Sequence, residues 1–227
     1  MAKVFTLEQR ILKRNSEVAE ENRRNFDAQG VYVVSLASSP GSGKTSLLEK
    51  CLVLLRGELS VGVVEGDVQT DRDARRIEAL GVPVVQVVTN GTCHLDAQMV
   101  QGALAHLEMG TVELLFIENV GNLVCPASYD LGEHLRVVLS STAEGEDKPL
   151  KYPAMFRRSQ AMVLNKIDLL PYVDFDVDRC IGFARRVNPA IEVLRVSAKT
   201  GEGLPEWTDW VERAAQTAGR ALLVAGT

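Results

Sequence analysis

The chain of 227 residues is predicted to fold as an α/β protein, with a mostly parallel central sheet flanked by helices. Three observations support this. Apolar, β-rich runs alternate with helical patterns along most of the chain, as expected of strands joined by crossover helices. The small-residue run Ser38-Ser39-Pro40-Gly41-Ser42-Gly43-Lys44-Thr45 lies between the first such strand and the first helix after it. Asn165-Lys166-Ile167-Asp168 ends a later apolar run. Sheets of this kind bind ligands beyond the carboxyl ends of their strands, where both segments fall.

Taken in order, residues 1–29 are polar and helix-prone, with Leu7, Ile11, Val18 and Phe26 as a thin apolar stripe. They predict an N-terminal helical arm ahead of a domain spanning residues 30–227. Strands are predicted at residues 31–37, 61–65, 84–88, 114–117, 135–139, 161–165 and 191–196. Helices are predicted at 45–56, 71–80, 95–108, 176–187 and 206–218. Residues 141–156 carry Gly145, Pro149, Pro153 and several charges and predict a loop insertion, with the basic stretch 151–158 a solvated loop.

The loop at 38–45 is a phosphate-binding loop in this context, which makes the chain a P-loop NTPase. Small residues let backbone N–H groups curl around an anion, and the next helix points its positive end at the same place. Pro40, Gly41, Ser42, Gly43, Lys44, Thr45 and Ser46 are the candidate phosphate contacts. Lys44 supplies a mobile cation and Thr45 a hydroxyl for Mg²⁺. Ser38 stands where the usual pattern has glycine, and is tolerated if its φ stays negative.

After such a loop, Asn165, Lys166 and Asp168 predict a guanine reader. The Asp168 carboxylate would accept from the base N1–H and 2-amino groups, a pair that adenine does not offer. Lys166 would lay its stem along the base. Ser197-Ala198-Lys199, after the next strand, predicts a further base loop whose backbone N–H meets the guanine oxygen. GTP is therefore favoured over ATP. Glu118, in Glu118-Asn119-Val120-Gly121, and Asp67, after the second strand, are the candidate magnesium acids beside Thr45. Lys44, Asp67 and Glu118 form the candidate catalytic set. Asp71, Asp73, Arg72, Arg75 and Arg76 read as an exposed helix start and face.

Cys93, His94 and Cys125 are candidate ligands for Zn²⁺ or Ni²⁺. Cys93 would lie near a helix N-terminus, which stabilises a thiolate. Cys125 follows Gly121, so a ligand there would move whenever that segment responds to γ-phosphate. Spacing alone fits ordinary structural cysteines equally well. Cys51 and Cys180 lie among apolar neighbours and read as core residues; His106 and His134 read as surface or satisfied polar groups.

A composition of 46% hydrophobic and 24% charged residues suits one compact domain. Net charge of −5 gives no footprint for nucleic acid. No apolar run reaches membrane-span length, and the start does not read as a secretory signal. Four scattered cysteines predict reduced thiols in the cytoplasm.

These segments together, with Val64-Glu65-Gly66-Asp67, Gly91-Thr92-Cys93-His94-Leu95 and Glu118 through Pro126, resemble the HypB family of hydrogenase nickel-incorporation GTPases. The resemblance covers residues 30–215 or so. It implies a SIMIBI-type GTPase that assists nickel insertion into [NiFe]-hydrogenase and dimerises with GTP. It implies that Cys93, His94 and Cys125 form the metal site near the dimer interface. A HypA-type nickel metallochaperone and the hydrogenase large subunit are the implied partners, and Lys148 or Lys151 the residue reaching across the dimer. Some members carry an N-terminal Cys-rich nickel motif or a His-rich tract. This chain begins Met1-Ala2-Lys3-Val4 and has three histidines, so the internal site is expected to be its main metal site. One alternative is a chaperone GTPase for another metallo- or cofactor enzyme, of urease or cobalamin-mutase type, with structural Cys and His. Another is a metal-binding dimer whose nucleotide pocket only sets shape.

Overall fold

The computed structural model describes residues 7–225. Seven parallel strands form one sheet: β1 (Tyr32–Ser38), β2 (Val61–Asp67), β3 (Val84–Val88), β4 (Leu114–Glu118), β5 (Leu135–Ser141), β6 (Ala161–Asn165) and β7 (Glu192–Arg195). Their order is β3-β2-β4-β1-β5-β6-β7. The predicted parallel α/β architecture is present. In the central strands β1, β4, β5 and β6 nearly every side chain is buried, because helices cover both faces.

One face is covered by α2 (Lys44–Leu55), α3 (Arg72–Glu78) and α8 (Leu204–Ala225), which bring Leu47, Leu48, Leu55, Ile77, Trp207 and Val211 onto Val34, Leu36, Val137 and Val163. The other face has two blocks. Beside β2 and β4, α1 (Leu7–Gln29) and α4 (Ala97–Leu104) bury Phe26 and Val100. Beside β5 and β6, α6 (Pro153–Arg158) and α7 (Val177–Val187) bury Met155, Phe156 and Ala184. Each large apolar side chain so removed from water contributes roughly 1.5–3 kcal/mol before entropy is counted.

Several expectations need correction. The insertion at 141–156 is not a loop: it holds α5 (Lys148–Lys151) and most of α6. Met155 and Phe156 are fully buried and Arg158 donates to the Ala127 carbonyl at 2.6 Å, so 151–158 is helical and anchored in the core, while its basic residues Lys151, Arg157 and Arg158 are exposed as expected. α4 starts later than predicted because Asp96 adopts extended φ/ψ and accepts the Met99 N–H at 2.7 Å, capping the helix there, and it also ends early, at Leu104. The buried face of α1 is Asn15, Ala19, Asn22 and Phe26, whereas Ile11 is 48% exposed; the Leu7 side chain lies outside the described residues. Asn15 accepts the Ala97 N–H at 2.8 Å and donates to Asp130 O at 2.8 Å. Asn22 donates to Ala97 O and Leu131 O at 2.9 and 3.1 Å. The helix docks through amide side chains that satisfy otherwise orphaned backbone groups, which a hydrophobic stripe does not reveal.

Among the described residues no helix is long and apolar enough to cross a membrane.

Candidate functional site

The carboxyl ends of β1, β2, β4 and β6 open on a cavity of about 470 Å³. Pro40, Gly41, Ser42, Gly43, Lys44, Thr45 and Ser46 line it, with Glu65, Asp67, Asp73, Arg76, Gly121 and Lys166 opposite. The turn between β1 and α2 depends on Gly43, whose φ is +92° and where a Cβ would lie 2.5 Å from the Asn165 amide nitrogen. Ser38 keeps a negative φ, so the departure from glycine costs no strain. Its hydroxyl donates to Ser39 O at 2.8 Å.

At the floor of the cavity, Glu118 is 1% exposed. Its Oε1 accepts from the Thr45 hydroxyl at 2.8 Å and pairs with Lys44 Nζ at 3.0 Å. Its Oε2 is buried and has no hydrogen-bond partner, and neither has Glu65 Oε2. Burial works against the Lys44 charge, but Glu118 and then Glu65 outweigh it and hold the ammonium above its usual range. Burial, followed by the adjacent Glu118 charge, pushes the Glu65 carboxyl well up.

Ligand oxygens of Glu65, Asp73 and Glu118 lie within 4.8 Å of one another. Hard oxygen donors, a neighbouring hydroxyl and unpartnered buried carboxylate atoms fit a magnesium ion held with nucleotide. Asp67 stands at the rim, its Oδ1 accepting from the Gln69 and Thr70 amides at 2.9 and 2.5 Å. Desolvation pushes its carboxyl up, but the Thr70 and Gln69 amides together outweigh it and hold the group below the ordinary carboxylate range.

Sequence reasoning missed Glu65 and gave Asp73 and Arg76 to an exposed helix face. Asp73 is half-buried and joins the acid cluster. Arg76 bonds Glu49 Oε1 at 2.9 Å, Asp73 Oδ1 at 3.0 Å and the Ser46 hydroxyl at 3.1 Å, on the cavity wall. The period-2 alternation of β2 was a usable signal, since it puts Glu65 on the same face as Asp67.

The segments predicted to read the base also converge. Asn165 donates to Ser42 O at 2.9 Å and accepts from the Lys166 and Ala198 amides at 2.8 and 3.1 Å. It fastens the phosphate loop to both base loops. Asp168 accepts the Ser197 hydroxyl at 2.6 Å. Lys166, with φ +63°, reaches Gly41 O at 2.7 Å with its ammonium; Lys199 is exposed on the same turn as Ala198. Lys148, rather than Lys151, touches the phosphate loop within the protomer, bonding the Ser39 hydroxyl at 3.1 Å, while Lys151 pairs with Asp147.

Cys93, His94 and Cys125 come together from two segments. The sulfurs lie 2.8 Å apart and Cys93 Sγ is 3.9 Å from His94 Nδ1. All four cysteines are free thiols, and Cys93 and Cys125 are half-buried whereas Cys51 and Cys180 are buried. Two sulfurs and an imidazole nitrogen within 4.8 Å fit a thiophilic divalent ion. The Tyr129 ring rests on His94 with centroids 3.9 Å apart. Helix stabilisation of the Cys93 thiolate is not realised, because α4 starts only at Ala97 and its first turn is capped by Asp96. Instead the Cys125 thiol, and then burial, raise the Cys93 thiol above its ordinary value, while burial lowers the His94 imidazole. His134 is satisfied: its Nδ1 accepts from Val33 N and its Nε2 meets Asp27, each at 2.9 Å.

Residues 32–195 match the CobW/HypB/UreG nucleotide-binding domain family. The chain is 57% identical to the hydrogenase maturation factor HypB of Azotobacter vinelandii, over 97% of its own length and 73% of that protein's. The chain belongs to the HypB family. It is 54% identical to HypB of Escherichia coli K12, over 89% of this chain and 70% of that one. The crystal structure of Helicobacter pylori HypB in complex with nickel superposes with a TM-score of 0.86 at 36% identity, covering 90% of this chain and 96% of that chain. Membership in this GTPase family agrees with the phosphate loop and the Asn165–Asp168 base segment described above.

Proposed function

We propose that this HypB-family chain is a GTP-hydrolysing metallochaperone that assists nickel insertion into [NiFe]-hydrogenase, its metal binding coupled to nucleotide-dependent dimerisation. The observation that carries the reading is one segment, residues 118–125. It begins with the acid bonded to Lys44 and Thr45 and ends with a metal-type thiol 2.8 Å from another. Relatives named as hydrogenase maturation factors, and a similar structure described with nickel, support the assignment of cargo.

In this reading the phosphate loop grips the triphosphate and Lys44 leaves Glu118 for the outer phosphates. Asp168 accepts from the guanine edge. Glu118 and Thr45, with Glu65 and Asp73 beside them and Asp67 at the rim, would hold magnesium, directly or through water, and that ion would neutralise charge on the phosphates. Asp67 orients the attacking water. Gly121 packs against the phosphate loop, where a Cβ would lie 3.1 Å from Pro40 Cα, so γ-phosphate displaces the segment that bears Cys125. Nickel, or zinc in its place, is cargo for the two thiolates and the imidazole. Val124 beside Cys125 is 61% exposed and offers apolar surface to a second copy. A HypA-type metallochaperone and the hydrogenase large subunit are the donor and recipient we assign, in the cytoplasm.

The test is maturation of hydrogenase in cells lacking their own copy of this factor. Wild type restores activity, whereas Lys44→Ala and Cys93→Ala do not. Full rescue by Cys93→Ala at limiting nickel would reassign the cysteines to structure.

A further inference from the structure

The triphosphate cavity and the thiol pair are joined by specific side-chain bonds, and two asparagines supply them. Asn119 follows Glu118 directly and is 4% exposed. Its Oδ1 accepts two backbone N–H groups, from Val120 at 2.9 Å and from Leu95 at 3.0 Å. Leu95 is the residue after His94. Asn122 follows Gly121, which presses on Pro40 of the phosphate loop. Its Nδ2 donates to the Cys93 carbonyl at 3.2 Å and its Oδ1 accepts the Val124 N–H at 2.9 Å. Cys93 and the neighbour of Cys125 thus hang from one amide group.

A third contact reaches the same loop from β2. Beside Asp67, a Cβ on Gly66 would lie 2.8 Å from the Leu95 side chain, so Leu95 packs directly on that strand's backbone. Both strand ends that face the γ-phosphate therefore bear on the stretch 93–95. A displacement of residues 119–122 pulls the Cys93 carbonyl and the Val124 amide together.

We infer that Asn119 and Asn122 are positioning residues that transmit nucleotide state to the metal site, with Asn122 as the principal link between the Cys93 and Cys125 segments. The inference rests on the metal-delivery reading above. The residue type is what the geometry asks for. A primary amide donates to one backbone carbonyl while accepting another backbone N–H, which neither a carboxylate nor an alkyl side chain can do. Aspartate keeps the Val124 bond and loses the donor to Cys93 O; alanine loses both. Groups behind metal ligands commonly change metal affinity about 10–100-fold when removed. A purely structural support would do so equally in every nucleotide state, whereas a transmitting one changes the ratio between states.

The experiment compares wild type, Asn122→Ala and Asn122→Asp. Nickel affinity is measured by competition with a chromophoric chelator, and Co²⁺ is used to read the thiolate charge-transfer band. Both are recorded with GDP and with a non-hydrolysable GTP analogue; thermal melting confirms folding, and GTP turnover is followed in parallel. The expected result is a nucleotide-dependent affinity ratio of about fivefold or more in wild type that falls to within about twofold of unity in both variants. GTP turnover should stay within about threefold of wild type, because the Asn122 side chain bonds to Cys93 and Val124 on the metal side of the segment. Variants that lose nickel affinity equally in both states, with the wild-type ratio and Co²⁺ spectral change preserved, would overturn the inference while leaving the metal-delivery reading standing. A wild-type ratio of one would overturn that reading's coupling and this inference with it.

Discussion

Two cavities of nearly equal size lie at opposite ends of the sheet, and their buried carboxylates differ in one respect. The lower one, about 440 Å³, is lined by Arg23, Asp130, Glu133, His134, Arg136 and Arg158 among others. Glu133 there accepts from the Ser35 hydroxyl, Arg136 Nε and the Leu131 amide at 3.2, 2.6 and 2.7 Å. Arg136 also holds the Tyr129 carbonyl at 2.7 Å, and Arg23 pairs with Asp130 at 2.9 Å. At the upper cavity, Glu65 and Glu118 each keep a buried oxygen with no partner. A buried charge with complete partners is architecture; one left incomplete costs stability and persists where a ligand completes it. The upper end therefore carries the chemistry and the lower end carries the fold.

The largest contrast comes from removing one cation at each end. Lys44→Ala should lower GTP turnover by about 10²–10³-fold, read by phosphate release, and should also lower the melting temperature because it strands the buried Glu118 carboxylate. Arg136→Met should leave nucleotide affinity unchanged but destabilise the chain by about 3–5 kcal/mol, because Glu133 is stranded, as measured by urea unfolding.

A matched pair of carboxamides sharpens the comparison. Glu133→Gln should lower the melting temperature by about 10 °C and spare turnover. Glu118→Gln should shift melting by less than about 3 °C, since Glu65 can then ionise beside Lys44, while turnover falls about 10²-fold or more. Equal thermal losses from the two substitutions would break the contrast.

A smaller effect tests burial without a charged partner. Cys51 is 1% exposed, and burial pushes its thiol up to about 12 from 9.0. The folded state keeps this proton when the unfolded chain gives it up. Its contribution is therefore complete below pH 9 and lost as pH rises toward 12. Urea unfolding at pH 8 and 10.5 should show a steeper alkaline loss for wild type than for Cys51→Ala. The smallest effect belongs to the exposed Arg75–Asp71 pair, where Arg75→Ala should cost under about 0.5 kcal/mol.

Much of this was legible in the sequence, for identifiable reasons. Strands buried on both faces read as unbroken apolar runs, so β6 matched its predicted bounds; β3, a half-exposed edge strand, matched through its four valines. The phosphate loop and the Asn165–Asp168 segment are local, and local geometry survives in spacing. Cys93 and Cys125 were nominated by type and neighbourhood; only the chain path after β4 brings their sulfurs together. The meeting of Glu65, Asp73 and Glu118 was not legible, because it joins two strands and a helix with no fixed spacing. Nor was the docking of α1, which uses Asn15 and Asn22 where a pattern reader seeks leucines. Asn119 and Asn122 escaped notice for the same reason: an amide's role is set by what it bonds, which sequence does not record.

The central claim is that nucleotide and metal sites share one moving segment. The most direct test is the nickel affinity of wild type and Cys125→Ala, each with GDP and with a non-hydrolysable GTP analogue. The account predicts affinities differing by about fivefold or more between the two states in wild type, and no difference in Cys125→Ala. Equal affinities in both states of the wild type would contradict it.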